Sequence, residues 1–481
     1  MTISKQNKSF LTLLALVVLA GGVVAFAYFG VFRADMKAQA AKDNASHAFQ
    51  FHKKKVKTVA LTAKGKTTIV ERQGGGWKIV SPVMTLADTS SVNAIVDKLH
   101  DLEFKSVVAK NESKAKDFGL DQPQFEVKAT LDSGRLLDLK VGMENAFDNS
   151  LYYVTNKDKR IFQAEDALKW PLDKTLFDLR DKRIITAQLA DVEQFSVETN
   201  GSDWSVEHDG DQWKLTVPIQ DQADKSVVES VINRIGYLQA KSFAAETAPA
   251  DQAGLAKYGL DKPVAQVTYL IGHDRAKTTL DIGQVGPKGK EKTYARLVEG
   301  SPVWEIDGSI LKALEKTPND LRDKTIDAFK KADVAKLVIR PAKGQPLTIL
   351  RTEVKKKGAS FPTDEFTVNG QSKGLKEWKL SSALYTLSTL KGTSIVEEHA
   401  KDLSKYGLDK PRLSFTAFDK AGKQLAEILV GTENATSSYA MAAGSDRVYQ
   451  VSKYTVDDLP KSMADVLEKP ATKTLSAKSK S

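Results

Sequence analysis

The residues best placed to do chemistry are the acids of a repeated pentapeptide, Asp178-Leu179-Arg180-Asp181-Lys182 and Asp320-Leu321-Arg322-Asp323-Lys324. Two carboxylates three residues apart can share one helix face, which a general acid and base would require. The interleaved arginine and lysine suit an ion-paired helix end better, and that is the expectation here. A third version, Asp465-Val466-Leu467-Glu468-Lys469, keeps the acids and the lysine but has lost the arginine. The six histidines (His47, His52, His100, His208, His273 and His399) are scattered, with no metal-binding pair of the HExxH kind. No cysteine occurs, which removes disulfides, thiolate zinc sites, iron–sulfur clusters and cysteine nucleophiles. The stretch Gly283–Lys290 (GQVGPKGK) lacks the spacing and terminal Ser/Thr of a phosphate-binding loop, and no GxSxG elbow is present. Asp209-Gly210-Asp211 reads as a hairpin turn, since a calcium loop needs further oxygen ligands and a distal Glu. No catalytic site, metal or cofactor is therefore expected.

The other chemical signal is basic. The 481 residues carry a formal net charge of +10, and Lys53, Lys54, Lys55 and Lys57 cluster as a candidate contact for an anion or a membrane surface. Nucleic acid is not an expected partner, because 61 acids are interspersed with the bases and no recognition motif appears. With 41% hydrophobic and 27% charged residues, the composition is that of folded protein, and the length allows about three domains.

Self-similarity shows how these residues are positioned. The string GLDxP occurs three times: Gly119-Leu120-Asp121-Gln122-Pro123, Gly259-Leu260-Asp261-Lys262-Pro263 and Gly407-Leu408-Asp409-Lys410-Pro411. The flanks agree as well. The segments Ile161–Lys182, Val303–Lys324 and Val448–Lys469 align without a gap. Gly142, Gly283 and Gly431 follow the motif glycine at nearly the same interval in every copy. Upstream, Trp77, Trp213 and Phe366 precede Leu102, Leu238 and Leu390 at a spacing that is likewise almost constant. Agreement at four landmarks means a triplicated unit, long enough for each copy to hold its own core.

Each copy reads as α+β, an antiparallel sheet packed on helices. In the first, strands are expected at Val56–Thr62, Thr67–Gln73 and Trp77–Val80, followed by an amphipathic helix Val92–Leu102 capped by Asp88 or Ser90. A strand at Ser106–Ala109 and a short helix stopped by Gly119 come next. Further strands are expected at Phe125–Leu131, Leu136–Val141, Leu151–Thr155 and Arg160–Gln163, then one final helix over about Glu165–Leu179. The GLDxP motif has a structural reading: a left-handed glycine ends the helix, the leucine packs back, and Asp-x-Pro turns the chain. Phe118, Tyr258 and Tyr406 before the glycine read as core residues.

Ahead of the copies lies the only long apolar run, Phe10–Phe32, which as a helix would cross the roughly 30 Å hydrocarbon core. It is expected to be an uncleaved signal anchor with residues 1–9 in the cytoplasm and the bulk of the chain outside. The rival is a cleaved signal peptide, for which Ala25-Phe26-Ala27 offers a site. Gly21 and Gly22 leave homo-oligomerisation through the span open. The expected layout is a linker at 33–50, repeat modules at 51–183, 184–325 and 326–470, and a disordered basic tail at 471–481.

An anchor followed by copies of W-(K/R)-hydrophobic, an amphipathic helix, YGLDxP, a strand ending in Gly, a Tyr-containing strand and DLRDK resembles the bacterial domain-of-unknown-function 4340 family, over about residues 50–470. The resemblance implies a membrane-anchored envelope protein, of a kind often encoded beside gliding-motility-type ABC transporter subunits, and hence an accessory role. No catalytic residues are established for that family, so none carry over. The third copy departs from the pattern: it lacks the Trp and the Arg, and its first hairpin (Val338–Val368) is enlarged and contains Lys355-Lys356-Lys357. The expected function is a non-catalytic accessory or scaffold subunit of an envelope complex, an ABC-type transport system. The alternative is a binding module for an anionic envelope ligand, whether glycan, lipid headgroup or peptide.

Overall fold

The computed structural model describes Tyr28 and residues 47–104, 106–164, 166–186, 191–272, 274–355 and 361–468. The expected span Phe10–Phe32 (Tyr28 apart), residues 1–9, most of the linker, Lys356, Lys357 and the tail lie outside the described residues. Among the described residues no helix is long and apolar enough to cross a membrane.

Alternating side chains and short turns produce three antiparallel sheets. The first contains β1 (Val56–Ala63), β2 (Lys66–Gln73), β3 (Gly76–Ser81), β4 (Thr85–Leu86), β5 (Ser106–Ala109), β6 (Phe125–Leu131), β7 (Leu136–Glu144), β8 (Leu151–Thr155) and β9 (Ile161–Ala164). Their order is β4-β3-β2-β1-β6-β7-β8-β9-β5. The central strand β1 shows the period of two, with Val56, Val59, Leu61 and Ala63 buried, and sets Val59 opposite Val70 on β2 and Ala129 on β6.

The second sheet repeats this plan with β10 (Val192–Thr199), β11 (Trp204–Asp209), β12 (Gln212–Val217), β13 (Asp221–Gln222), β14 (Ser242–Ala245), β15 (Ala265–Ile271), β16 (Ala276–Val285), β17 (Lys292–Leu297) and β18 (Val303–Ile306). The third has β19 (Lys336–Pro341), β20 (Leu347–Val354), β21 (Thr363–Val368), β22 (Ser394–Glu397), β23 (Leu413–Phe418), β24 (Gln424–Glu433), β25 (Ser437–Ala442) and β26 (Val448–Ser452). The orders are β13-β12-β11-β10-β15-β16-β17-β18-β14 and β21-β20-β19-β23-β24-β25-β26-β22. Shifted by nine, the first two orders coincide; the third lacks only the two-residue strand. The triplication read from spacing is thus a triplication of topology, and sheet dominates with few helices.

One helix crosses each sheet. In the first copy it is Thr89–Asp101, capped by Asp88, which accepts from the Ser91 amide; Val92, Ile95, Val96 and Leu99 are buried beneath it. Lys225–Gly236 is capped likewise by Asp224. In the third copy Lys376 stands at the cap of Glu377–Ser388 and makes no side-chain cap bond.

Two expectations need correction. The single helix over Glu165–Leu179 is broken: Lys169–Leu172 ends, and a one-turn helix restarts at Leu176. Thr175 causes the break by forming a capping box with Asp178, and Thr317/Asp320 and Ser462/Asp465 do the same in the other copies. The linker also ends early. Ala48 and Phe49 are buried in the first core, and the Ala48 amide donates to the Leu102 carbonyl.

The chain divides into two units by contact density, one running to Ile184 and including Gln239–Phe243, the other holding Ile185–Leu238 and Ala244 onward. The first unit holds the first copy's core. Within the second unit the third copy has its own core.

A smaller apolar cluster forms around GLDxP in every copy: Leu120, Val154 and Ile161; Leu255, Leu260, Tyr294 and Val303; Leu408, Met441 and Val448. Gly119, Gly259 and Gly407 hold φ of 68°, 67° and 64°, and the following leucine amide donates back to Ala115, Leu255 or Leu403, closing the helix end. The capped turn lies hard against the neighbouring strand. A Cβ on Gly142, Gly283 or Gly431 would come within 2.0, 2.4 or 2.0 Å of the carbonyl oxygen of Phe118, Tyr258 or Tyr406. Gly142→Ala should therefore lower the unfolding free energy in urea by about 3 kcal/mol. Gly75→Ala, with nothing within 4 Å and no positive φ, should stay within about 0.5 kcal/mol.

Candidate functional site

The capping boxes settle the geometry of the repeated acids. Asp178 and Asp320 lie inside the one-turn helix and bond to Thr175 and Thr317, whereas Asp181 and Asp323 lie beyond its end. The two carboxylates of each motif do not share a helix face. Asp181 instead receives Arg183, at 2.6 Å, and Asp323 accepts from Thr325, at 2.7 Å.

Between the two acids stands the arginine. Its backbone bridges the short edge of its own copy (Ala87 with Arg180, Ala223 with Arg322), as Leu375 does with Leu467 in the third. The side chains differ. Arg180 is 2% exposed, with its guanidinium 3.3 Å from the ring centre of Phe243 in the same unit. Arg322 spans two copies. Its Nε donates to Asp221 of its own copy at 2.5 Å, and its Nη atoms grip both oxygens of Glu398 in the third, one at 2.9 Å. Arg447 braces the same two acids, 3.3 Å from Asp221 and 3.0 Å from Glu398.

A second pair closes the junction between copies two and three. Lys391 lies 2.7 Å from Asp224, the cap of the crossing helix, and 3.9 Å from Asp323. Main-chain bonds accompany the ions: the Gly392 amide donates to Lys324, and Ile326 to Leu390. The hydrogen bonds from Arg322 hold the Glu398 carboxyl below the usual range. Burial pushes Asp224 up, but the bonds from Lys391 and Ser226 outweigh it and leave the carboxyl below its ordinary value. Burial also lowers the Lys324 ammonium. Local spacing in the sequence could not find this network, since its members are contributed by segments far apart in the chain.

The GLDxP residues serve the helix cap described above. Leu120, Leu260 and Leu408 are buried, and the preceding aromatics form edge-on pairs, Phe118 with Tyr152, Tyr258 with Tyr294 and Tyr406 with Tyr439. Asp121, Asp261, Asp409, Pro123, Pro263 and Pro411 lie in the turn that leads into the next strand.

The lysine cluster is partly neutralised. Lys53 sits 2.8 Å from Asp97 and 3.6 Å from Asp101, and Lys55 sits 2.8 Å from Asp132; Lys54 and Lys57 face solvent. Nearby, three of the six histidines scattered in the sequence converge. His47, His52 and His100 line one open cavity of about 610 Å³ with Lys55 and Arg135, and the rings of His47 and His100 are 6.1 Å apart. His100 is already bonded to Asp101 at 2.6 Å, and no group of metal-ligating side chains occurs among the described residues. A second cavity, of about 540 Å³, lies in the second copy between the crossing helix and Ser309–Leu314.

The third copy differs on the outer face of its crossing helix. Trp378 and Tyr385, two turns apart on one stripe, are 68% and 64% exposed. The helix alignment sets them against Ser90 and Asp97 in the first copy and Ser226 and Asn233 in the second.

A family model described as Domain of unknown function (DUF4340) matches residues 77–253, 244–373 and 360–477, which together span most of the chain. The chain belongs to this family. No curated protein matches it. The matched segments number three, as the sheets of this DUF4340 chain do, but their bounds cross the sheets: the first runs from β3 through β14 and the second from within β14 through β21.

The junction yields a stability prediction. Arg322→Leu, the residue of the third copy, should cost about 2 kcal/mol in urea unfolding at pH 7, less than a fully buried pair because Glu398 is half-exposed and Arg447 remains. A depressed carboxyl stabilises above its unfolded value, near 4.3, and that share is lost as pH falls through the folded value. The difference between variant and wild type should therefore shrink when the measurement is repeated below about pH 4.

Proposed function

We propose that this protein is a membrane-anchored, extracytoplasmic and non-catalytic accessory or scaffold subunit of a cell-envelope complex, with an ABC-type transport system as its partner. The observation that carries the reading is the junction of copies two and three. Arg322, Asp221, Glu398 and Arg447, with Lys391 and Asp224, lock two complete domains into a fixed mutual arrangement. Charges of the kind an acid–base site needs are engaged in capping and docking instead. Rigidly spaced domains present several surfaces at set distances, and linked contacts gain avidity.

The anchor is the apolar run Phe10–Phe32, and the envelope placement follows from it and from the family resemblance. The surface most suited to a protein partner is the aromatic stripe Trp378–Tyr385, because exposed Trp and Tyr supply large contact area at low entropy cost. The alternative, an anionic envelope ligand held by Lys53, Lys54, Lys55 and Lys57, is disfavoured by the acids already paired with Lys53 and Lys55.

Crosslinking in native membranes followed by mass spectrometry tests this. ABC permease or ATPase subunits should copurify with the wild-type chain and fall by at least about tenfold for Trp378→Ser/Tyr385→Asn, which imposes the residues of copy two. Recovery of no protein partner at good coverage would sink the reading.

A further inference from the structure

The second copy gathers three cations into one groove without an acid. Ser226, Ser230 and Arg234 lie at successive turns along one face of the helix Lys225–Gly236, and Ser309, Lys312 and Lys316 line the facing wall. Val227, Val231 and Ala313 complete the lining, and no carboxylate contributes to it. The side chains of Arg234, Lys312 and Lys316 make no hydrogen bond or ion pair with any described residue. Acids around the groove have partners of their own: Asp224 bonds Ser226 and Lys391, Glu229 faces Lys225, Asp307 accepts from the Ser309 amide, and Asp320, which Lys316 also influences, is held in the Thr317 capping box.

The other copies fill the equivalent positions differently. At the positions of Arg234, Lys312 and Lys316 the third copy has Thr386, Asp457 and Lys461, and Lys461 is paired with Asp457 at 2.9 Å. The first copy has Lys98, Trp170 and Lys174, and the Lys174 ammonium sits 3.4 Å from the Trp170 ring centre. The third copy thus neutralises its lysine with an acid, and the first sets an aromatic ring against one of its two lysines. The second copy alone keeps three like charges together, an arrangement that costs repulsion unless an anion relieves it.

We infer that this groove is a binding site for a small, soluble, doubly anionic ligand of the phosphomonoester class. A guanidinium meets two phosphate oxygens with its paired N–H groups, lysines add charge without fixed geometry, and the hydroxyls of Ser230 and Ser309 can donate to the remaining oxygens, Ser226 being bonded to Asp224. The apolar part of the lining is limited to a half-buried Val227 and the buried Val231 and Ala313, which gives an acyl chain little to cover, so a phosphorylated sugar or polyol suits the groove better than a lipid does. This inference stands apart from the scaffold reading and survives or fails without it.

The test is isothermal titration of the full chain, in detergent at low salt, with inorganic phosphate and glycerol 3-phosphate. Saturable binding is expected, weakened at least about tenfold in Arg234→Gln/Lys312→Gln. The control Lys98→Gln/Lys174→Gln removes the same charge from the equivalent face of the first copy and should leave affinity within about twofold. Thermal melts of both variants establish that they fold. Absence of saturation by about 50 mM probe, equal weakening by both variants, or binding only to phosphatidylglycerol vesicles would overturn the assignment.

Discussion

A carbonyl oxygen pressed against a strand glycine is the contact on which each copy is built. Phe118, Tyr258 and Tyr406 each place their carbonyl where the Cβ of Gly142, Gly283 or Gly431 would be. That approach is available only because the residue after the aromatic is a left-handed glycine that ends the helix there. With the turn held flat on the sheet, the following leucine drops into a small apolar cluster, and the aromatic finds its edge-on partner one strand away. The two glycines, set at one recurring interval, thus determine where the chain leaves its edge strand and re-enters the middle of the sheet.

Spacing made these positions legible in the sequence, because the glycine pairs and the strand alternation are local patterns repeated three times. The helix break at Thr175 was less legible. The apolar periodicity from Leu168 to Leu179 suits one helix, but the Thr175–Asp178 capping box competes for the same amides and wins. Docking of His47–Gln50 was hidden for another reason: an alanine-rich polar segment looks solvated until its two apolar residues find a core. The ion network at Arg322 had no local signature at all, since its charges come together only when separate domains meet. The same lack of a local signature holds for the convergence of His47, His52 and His100.

The arginine of the repeated pentapeptide shows how one position can carry two roles. Its backbone seals the short edge of every copy, and leucine serves there as well as arginine. Its side chain is a separate device. Arg322 joins neighbouring copies, Arg180 stacks on Phe243, and Leu467 does neither. A partly buried guanidinium contributes little net stability when its partners are charged, because desolvation offsets the attraction. What such a pair does provide is a unique register: Asp221 and Glu398 can be satisfied together only when the two copies meet in one orientation, with Arg447 completing the set.

Divergence among the copies falls on the outer face of the crossing helix and on the helix beside it, while the sheets and cores stay alike. The first copy covers that face with Trp170 and Lys174, the second leaves it cationic, and the third makes it aromatic and self-paired. Core positions are held by packing, since even a methyl group is costly to add or remove there. Exposed helix positions bear no such constraint and can be changed at little cost in stability. Triplication followed by this kind of change gives one chain three chemically different faces on a single architecture. A fixed junction between two of the copies is then what makes their faces usable together, because contacts made by one domain are spatially committed relative to the other.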